Sequence, residues 1–252
     1  AVITNIEFDH MEHFGSIEEF ENVFIRFAAQ ARRRVIYCAD DPRAVRIGST
    51  VANSLSYGIA DGCQFQAVDV KLKAGSSQFI LVRDGHRAGV IHLAAPGAHN
   101  VRNALAAIAV GLELGVDQAR LIAGLEKIQL PRRRFEHVVQ RDDIEVISDY
   151  AHHPTEVAAL IRAAQHLGRK RIRAVFQPHR YTRTRALGPD FPPAFDGVDE
   201  VIITPVYGAS EQQIEGGTAG DLYAAFRRRS ACQAALAASL EEAWRYWRTR
   251  AA

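Results

Sequence analysis

The chain has 252 residues, 48% hydrophobic and 24% charged, which is typical of globular proteins and long enough for two compact domains. The formal net charge is +2 and no apolar run approaches the roughly 20 residues of a membrane-spanning helix, so neither a nucleic acid nor a membrane is expected as partner. No signal peptide is visible, and the three cysteines form neither a zinc pattern nor a disulfide framework, which favours the cytoplasm.

The first half of the chain predicts two strands joined by a helix, then hairpins, then two helices. The run AVITNI predicts a strand, and apolar residues at helical spacing from Ser16 onward predict an amphipathic helix. RRVIYCADD predicts a second strand that ends in acidic residues. Alternating apolar and polar positions over 50–93, with turn residues such as Asp84–Gly85, predict hairpins. PGAHNVRNALAAIAVGLELG predicts a helix that stops at Gly115, and a second helix covers about 117–127.

Pro131 and the dense charge around it interrupt this pattern, so we expect domains of residues 1–130 and 131–252. Beyond this boundary strands and helices alternate: EVISDY, a helix over 154–167, RIRAVFQP, a helical stretch, DEVIITPVYG and a helix over 218–228. This alternation predicts an α/β domain with a parallel sheet and crossover helices. Ligands of open α/β sheets bind outside the carboxyl ends of the strands, so residues that follow a strand are candidates for a site.

The segment DYAHHP follows the apolar run of EVIS, which we interpret as a buried strand, and it carries Asp149, Tyr150, His152 and His153. Pro154 suits the first turn of a helix, whose N-terminus attracts anions. A lone histidine at a strand exit is usually structural, and composition leaves the structural and the functional interpretation open. Because the two histidines are adjacent, we expect them to point in different directions, with His153 bracing the helix start.

The segment FQPHRYTRT follows the next predicted strand and contains Arg180 and Arg183 beside His179 and Tyr181. Arginines three residues apart share a face if the segment is a helical turn. Two guanidinium groups that converge on one point suit a carboxylate. The alternative interpretation is a solvated basic turn.

The loop EFDHMEH offers carboxylates and imidazoles, among them Glu7, Asp9 and His10. Such a loop can hold a divalent cation, because Mg²⁺ takes few protein ligands and also uses phosphate oxygens. The alternative is a loop that caps the helix starting after Ser16.

The segment GAHNVRNALAA begins a helix with His99, Asn100 and Asn103. Asparagine at a helix start normally caps the helix. Its amide can equally read the donor and acceptor edge of an adenine, and nothing local decides between the two.

Taken in this order, the four segments resemble the Mur ligases, the ATP-dependent amino-acid-adding enzymes of peptidoglycan synthesis. TNIEFDHMEHFGS is similar to the central-domain loop whose histidine, here His10, helps to bind Mg²⁺. HNVRNALAA is similar to the helix that contacts the ATP adenine, here through His99, Asn100 and Asn103. RRRFE is similar to the hinge into the C-terminal domain. The double histidine and FQPHRYTR resemble the member that adds L-alanine to UDP-N-acetylmuramate. A related ligase, which recycles murein tripeptide, shares AHHPT.

The resemblance implies an α/β fold in which part of a Mur-ligase central ATPase domain precedes a Rossmann-like C-terminal domain. It implies that ATP converts the muramoyl carboxylate to an acyl phosphate, which the alanine amine then attacks. Asp149 would approach the nucleotide when the domains close. The residues that would surround L-alanine, with the arginines on its carboxylate, are Tyr150, His152, Arg180 and Arg183.

The chain lacks one motif of these enzymes, because it contains no G-x-x-x-x-G-K-[ST] phosphate loop. It also begins at Ala1, and its only methionine is Met11. We therefore expect a piece of a longer ligase that is inactive by itself. Two other classes stay open: a non-catalytic module that binds an amino acid or a nucleotide, and a metal-dependent phosphohydrolase built on EFDHMEH.

Overall fold

The computed structural model describes residues 1–9, 13–141, 144–229 and 232–248. The chain divides into two compact units, Ala1–Pro131 and Arg132–Ala252. Both mix strands and helices, which confirms the predicted α/β class. In the described ranges, no helix combines the length and the apolar character needed to cross a membrane.

The described residues of the first unit form a six-stranded sheet with its strands in sequence order. The first four strands run parallel to one another. The fourth strand also pairs antiparallel with the fifth, and the fifth with the sixth, as the predicted hairpins. The strands are β1 (Val2–Ile3), β2 (Val35–Cys38), β3 (Ser54–Gly58), β4 (Phe65–Leu72), β5 (Ser77–Arg83) and β6 (His86–Leu93).

The α-helices in the described part of this unit are α1 (Ile17–Ala29), α2 (Pro42–Gly48), α3 (Ala98–Glu113) and α4 (Gln118–Leu125). Ser16 caps α1 by accepting a hydrogen bond from the Glu19 amide, as its place before the periodic apolar residues predicts. Helix α3 buries Val101 and Leu105 completely, in one core with Phe79 and Leu81 of β5. This packing fixes α3, and with it the asparagine candidates, against the sheet.

The second unit contains a parallel sheet in the order β11-β10-β9, with β9 (Arg173–Phe176), β10 (Glu200–Ile203) and β11 (Gln233–Leu236). Around it lie α5 (Pro154–Gln165), α6 (Tyr181–Leu187), α7 (Phe191–Ala194), α8 (Ala219–Arg229) and α9 (Leu240–Arg248). Phe176, Phe191 and Phe195 pack ring to ring in the core, beside the buried β10.

The strand predicted in EVISDY exists, but its predicted environment is wrong. It is β8 (Ile144–Ser148), and it pairs antiparallel with β7 (Glu136–Arg141) in a separate two-stranded ribbon. Val146 is 42% exposed, so β8 is not a buried strand of the parallel sheet. The physical reason is that a short apolar run fits a buried strand and a half-exposed hairpin equally well, and β7 is the nearest partner along the chain.

Candidate functional site

The turn after β8 is held by Asp149. Its carboxylate accepts hydrogen bonds from the amides of Phe135 (2.7 Å) and Ala151 (2.8 Å). The amide of Tyr150 donates to the carbonyl of Arg133, whose guanidinium lies 4.8 Å from the centre of the Tyr150 ring. Asp149 therefore ties the segment RRRF to the site, and its expected approach to a nucleotide remains a prediction.

The adjacent histidines have different partners. His153 is the N-cap of α5: its Nδ1 accepts from the Thr155 amide, and the Glu156 carboxylate accepts from the amides of His152 and His153. This confirms that His153 braces the helix start. His152 instead places Nδ1 at 2.8 Å from the carbonyl of Tyr150. A carbonyl can only accept, so Nδ1 carries the proton and the Nε2 of a neutral ring is an acceptor.

Arg183 forms hydrogen bonds with His179. Its side chain is buried (6% exposed), and Nη1 lies 3.0 Å from both the Nδ1 and the carbonyl oxygen of His179. Since a guanidinium group only donates, Nδ1 of His179 is the acceptor and its ring proton sits on Nε2. His152 and His179 thus adopt opposite tautomers, one with an accepting and one with a donating Nε2.

Four rings bring three segments of the second unit together. The ring centres of Tyr150 and His152 are 5.1 Å apart, those of His152 and His179 5.4 Å, and those of His179 and Tyr207 5.5 Å. Tyr150 and His152 follow β8, His179 follows β9 and Tyr207 follows β10. Tyr207 was not among the predicted site residues, because the segment DEVIITPVYG, predicted as a strand, includes it, whereas the observed β10 ends at Ile203.

Arg180 lies outside the helix that contains Arg183, so the condition under which the two arginines share a helix face is not met. It is the residue before α6, with a φ of +69°, and its Nη1 contacts the Glu211 carboxylate at 3.5 Å. The two guanidinium groups therefore have different protein partners. That both guanidinium groups bind one substrate carboxylate remains a prediction.

The adenine candidates lie at the start of α3 in the first unit. The N-cap is Gly97, with a φ of +89° that favours glycine and no capping side chain. Asn100 does not cap the helix through its oxygen; its amide nitrogen donates to the carbonyl of Pro96 at 2.7 Å. Asn103 is exposed and, three residues further on, shares a helix face with Asn100. This arrangement weakens the capping interpretation and leaves adenine contact as a prediction, including for His99.

Asp40, which the sequence analysis noted only as part of an acidic strand end, anchors this helix. It follows β2 and accepts hydrogen bonds from the amides of Ile59 (3.0 Å) and Ala60 (2.7 Å) and from the guanidinium of Arg102. Arg102 lies between the two asparagines on α3. Burial alone would raise the pKa of Asp40, but these amides and the arginine hold it below its ordinary value. The carboxylate therefore links α3 to the ends of β2 and β3 while ionised.

Asp40→Asn should lower the free energy of unfolding by about 1–2 kcal/mol at pH 7, because it removes the negative charge that pairs with the partly exposed Arg102. Since the folded pKa of Asp40 lies below the unfolded value of about 3.9, the stabilisation is complete above that value and is lost as the pH falls through the folded pKa. Urea unfolding at pH 7 and at successively lower pH measures this effect: the difference in free energy of unfolding between the wild-type chain and Asp40→Asn should become smaller as the pH falls. The exposed Asp61→Asn is the matched control, and an equal loss there would contradict the assignment.

The proposed metal ligand His10 lies outside the described residues. Among the residues that the structure describes, no group of three or more histidine, cysteine, aspartate or glutamate side chains is arranged to hold a metal ion. The same loop contributes Glu7 and Asp9, whose carboxylates are oxygen donors of the kind that Mg²⁺ prefers. The magnesium assignment therefore remains a prediction.

Comparison with known proteins assigns both units to one family. The Mur ligase middle domain matches residues 1–111, and the domain described as the Mur ligase, glutamate ligase domain matches residues 133–252. The chain belongs to the Mur ligase family. The resemblance in the four motifs is thus confirmed across the two units.

Among curated Mur ligases, the UDP-N-acetylmuramate–L-alanine ligase of Clostridium kluyveri is 40% identical over 216 residues, covering 84% of this chain and 47% of the relative. The solved UDP-N-acetylmuramate-alanine ligase of Thermotoga maritima superposes with a TM-score of 0.76 at 26% identity, covering 97% of this chain and 52% of that one. A MurF ligase from Thermotoga maritima in complex with ADP shares the fold, with a TM-score of 0.73 at 17% identity, covering 99% and 55% of the two chains. This Mur ligase chain spans about half the length of the curated relatives it matches.

Proposed function

We propose that this chain is part of an ATP-dependent ligase that joins L-alanine to UDP-N-acetylmuramate in peptidoglycan synthesis. The observation that carries the proposal is the cluster of Tyr150, His152, His179 and Arg183, which follow β8 and β9, with Arg180 beside it. It combines a ring nitrogen that accepts a proton with two guanidinium groups. These are complementary to the amine and the carboxylate of an amino acid. The 40% identity to an alanine-adding relative supports the same substrate.

The chemistry assigned to these residues is the second half of the reaction. ATP first transfers its terminal phosphoryl group to the muramoyl carboxylate, giving an acyl phosphate and ADP. The alanine nitrogen then attacks the acyl carbon, the C–N bond forms, and phosphate leaves. The attacking nitrogen must lose a proton, which the Nε2 of His152 can accept, while Arg180 and Arg183 hold the alanine carboxylate.

The nucleotide part of the proposal rests on the first unit. In that unit His99, Asn100 and Asn103 contact the adenine. The family resemblance adds Asp149 of the second unit, which comes close to the nucleotide when the domains close. His10 contributes to a Mg²⁺ site that, when filled, neutralises phosphate charge. We assign the protein to the cytoplasm and to cell-wall synthesis, cell shape and cell division, with small-molecule substrates and neither a nucleic acid nor a membrane as partner.

The decisive experiment is a substrate comparison in a full-length ligase that contains this chain. Release of ADP should require UDP-N-acetylmuramate together with L-alanine, and D-alanine should not replace it. ADP release with murein tripeptide in place of L-alanine would instead indicate the recycling ligase. Binding of L-alanine without any ADP release in the full-length protein would favour the non-catalytic module and contradict the proposal.

The 252-residue chain alone should show no ATP-dependent ligation of L-alanine. It contains no phosphate loop, so the charge that develops on the transferring phosphoryl group lacks the backbone amides and the lysine that normally stabilise it. The measurement is ADP release and product formation with purified chain of confirmed mass, beside a reaction without enzyme. Ligation clearly above that background would show that the phosphate loop is dispensable.

A further inference from the structure

The start of helix α6 has an unusual local structure. Arg180, the residue before the helix, has a φ of +69°, a region that residues other than glycine rarely adopt. It offers no side-chain hydrogen bond to cap the helix. The first amides of a helix need acceptors from elsewhere, and a strained backbone persists only where its surroundings hold it. Something outside the segment FQPHRYTRT must therefore stabilise this turn.

Glu211 provides that support from the loop after β10. Its carboxylate accepts hydrogen bonds from the amide (3.0 Å) and the hydroxyl (2.7 Å) of Thr182, and it lies 3.5 Å from Nη1 of Arg180. The Glu211 side chain is only 17% exposed. Burial alone would raise its pKa, but the hydrogen bonds from Thr182 and the charge of Arg180 hold it below the ordinary value. Glu211 is thus a partly buried, ionised substitute for the missing cap.

Other residues of the loop after β10 also contact the backbone of residues 178–182. The amide of Arg180 donates to the carbonyl of Tyr207, and the amide of Tyr207 donates to the carbonyl of Pro178, both at 2.8 Å. A Cβ on Gly217 would lie 2.5 Å from the carbonyl oxygen of Tyr181, and one on Gly208 would lie 2.9 Å from the carbonyl oxygen of Glu211. Only glycine allows these approaches. The loop is therefore built around residues 178–182.

We propose that Glu211 is a positioning residue that holds Arg180 in the conformation in which it binds the substrate carboxylate. This inference rests on the proposed function of Arg180. In this proposal Glu211 does not bind the substrate. Its short hydrogen bonds to Thr182 fix the turn, and its longer contact with Arg180 orients the guanidinium group. A carboxylate that only competed for Arg180 would need no hydrogen bonds to the amide and hydroxyl of Thr182.

Removing this support should weaken recognition of L-alanine selectively. In a full-length ligase that contains this chain, Glu211→Ala should raise the KM for L-alanine about tenfold or more, with little change in the KM for ATP, because misplacement of one clamp residue costs one to two orders of magnitude. Glu211→Gln keeps an acceptor for Thr182 and should restore part of the loss. Glu215→Ala, an exposed glutamate in the same loop, is the matched control and should leave both constants unchanged.

A second measurement uses the 252-residue chain and does not depend on catalysis. Amide hydrogen exchange should show faster exchange at Thr182 and Arg183 in Glu211→Ala than in the wild-type chain or in Glu215→Ala. Unchanged exchange there, or a KM for L-alanine that falls or stays constant in Glu211→Ala, would overturn the inference. If the wild-type ligase shows no dependence on L-alanine, the proposed function fails, and the exchange result alone decides whether Glu211 holds the turn.

Discussion

His152→Ala should lower the turnover of L-alanine ligation by about a hundredfold or more in a full-length ligase that contains this chain, which is the range usual for a positioned acid–base group. The reason lies in the tautomer: Nδ1 donates to the carbonyl of Tyr150, so Nε2 is left to accept the proton of the attacking amine. The measurement is turnover at saturating substrates, with the thermal midpoint recorded for each variant.

His153→Ala is the matched control, because it removes the neighbouring imidazole from the same turn. Its Nδ1 caps α5, so the loss should appear in stability, at about 1 kcal/mol, with near-normal turnover in the folded fraction. A folded His153→Ala protein that loses turnover, beside a His152→Ala protein that keeps it, would show that the roles of the two histidines are reversed.

Arg180→Ala should raise the KM for L-alanine about ten- to a hundredfold while changing the KM for ATP far less. The loss of one charge-assisted contact to a carboxylate costs roughly 1.5–3 kcal/mol. Initial rates with each substrate varied in turn measure both constants. Equal effects on the two substrates would place Arg180 at the phosphates or in the fold.

Arg183→Ala should also raise the KM for L-alanine, and in addition it should destabilise the second unit. Arg183 is buried and donates to both the ring and the carbonyl of His179, so its removal also leaves these acceptors unsatisfied. A thermal midpoint lower than that of Arg180→Ala is the expected difference. Equal midpoints with equal kinetics would mean that the two arginines act alike on the substrate.

Local signals in the sequence were sufficient for the elements and for the chemistry of the site segments. Ser16 before a periodic apolar stretch predicted the start of α1, and Pro154 predicted the first turn of α5. DYAHHP and FQPHRYTRT were identified because polar and charged side chains follow predicted strands, and the structure places His152 beside His179. Such signals act over a few residues, so the sequence by itself determines them.

Only the tertiary structure decided which distant groups support these segments. Arg102 and Asp40 are 62 residues apart, and Arg180 and Glu211 are 31 apart, so no local pattern marks either pair. The conformation that excludes Arg180 from α6 likewise depends on the distant Glu211 and Tyr207, and the tautomer of His179 depends on the buried position of Arg183. A side chain's chemical type is written in the sequence, whereas its hydrogen-bond partner, and therefore its proton, is set by the fold.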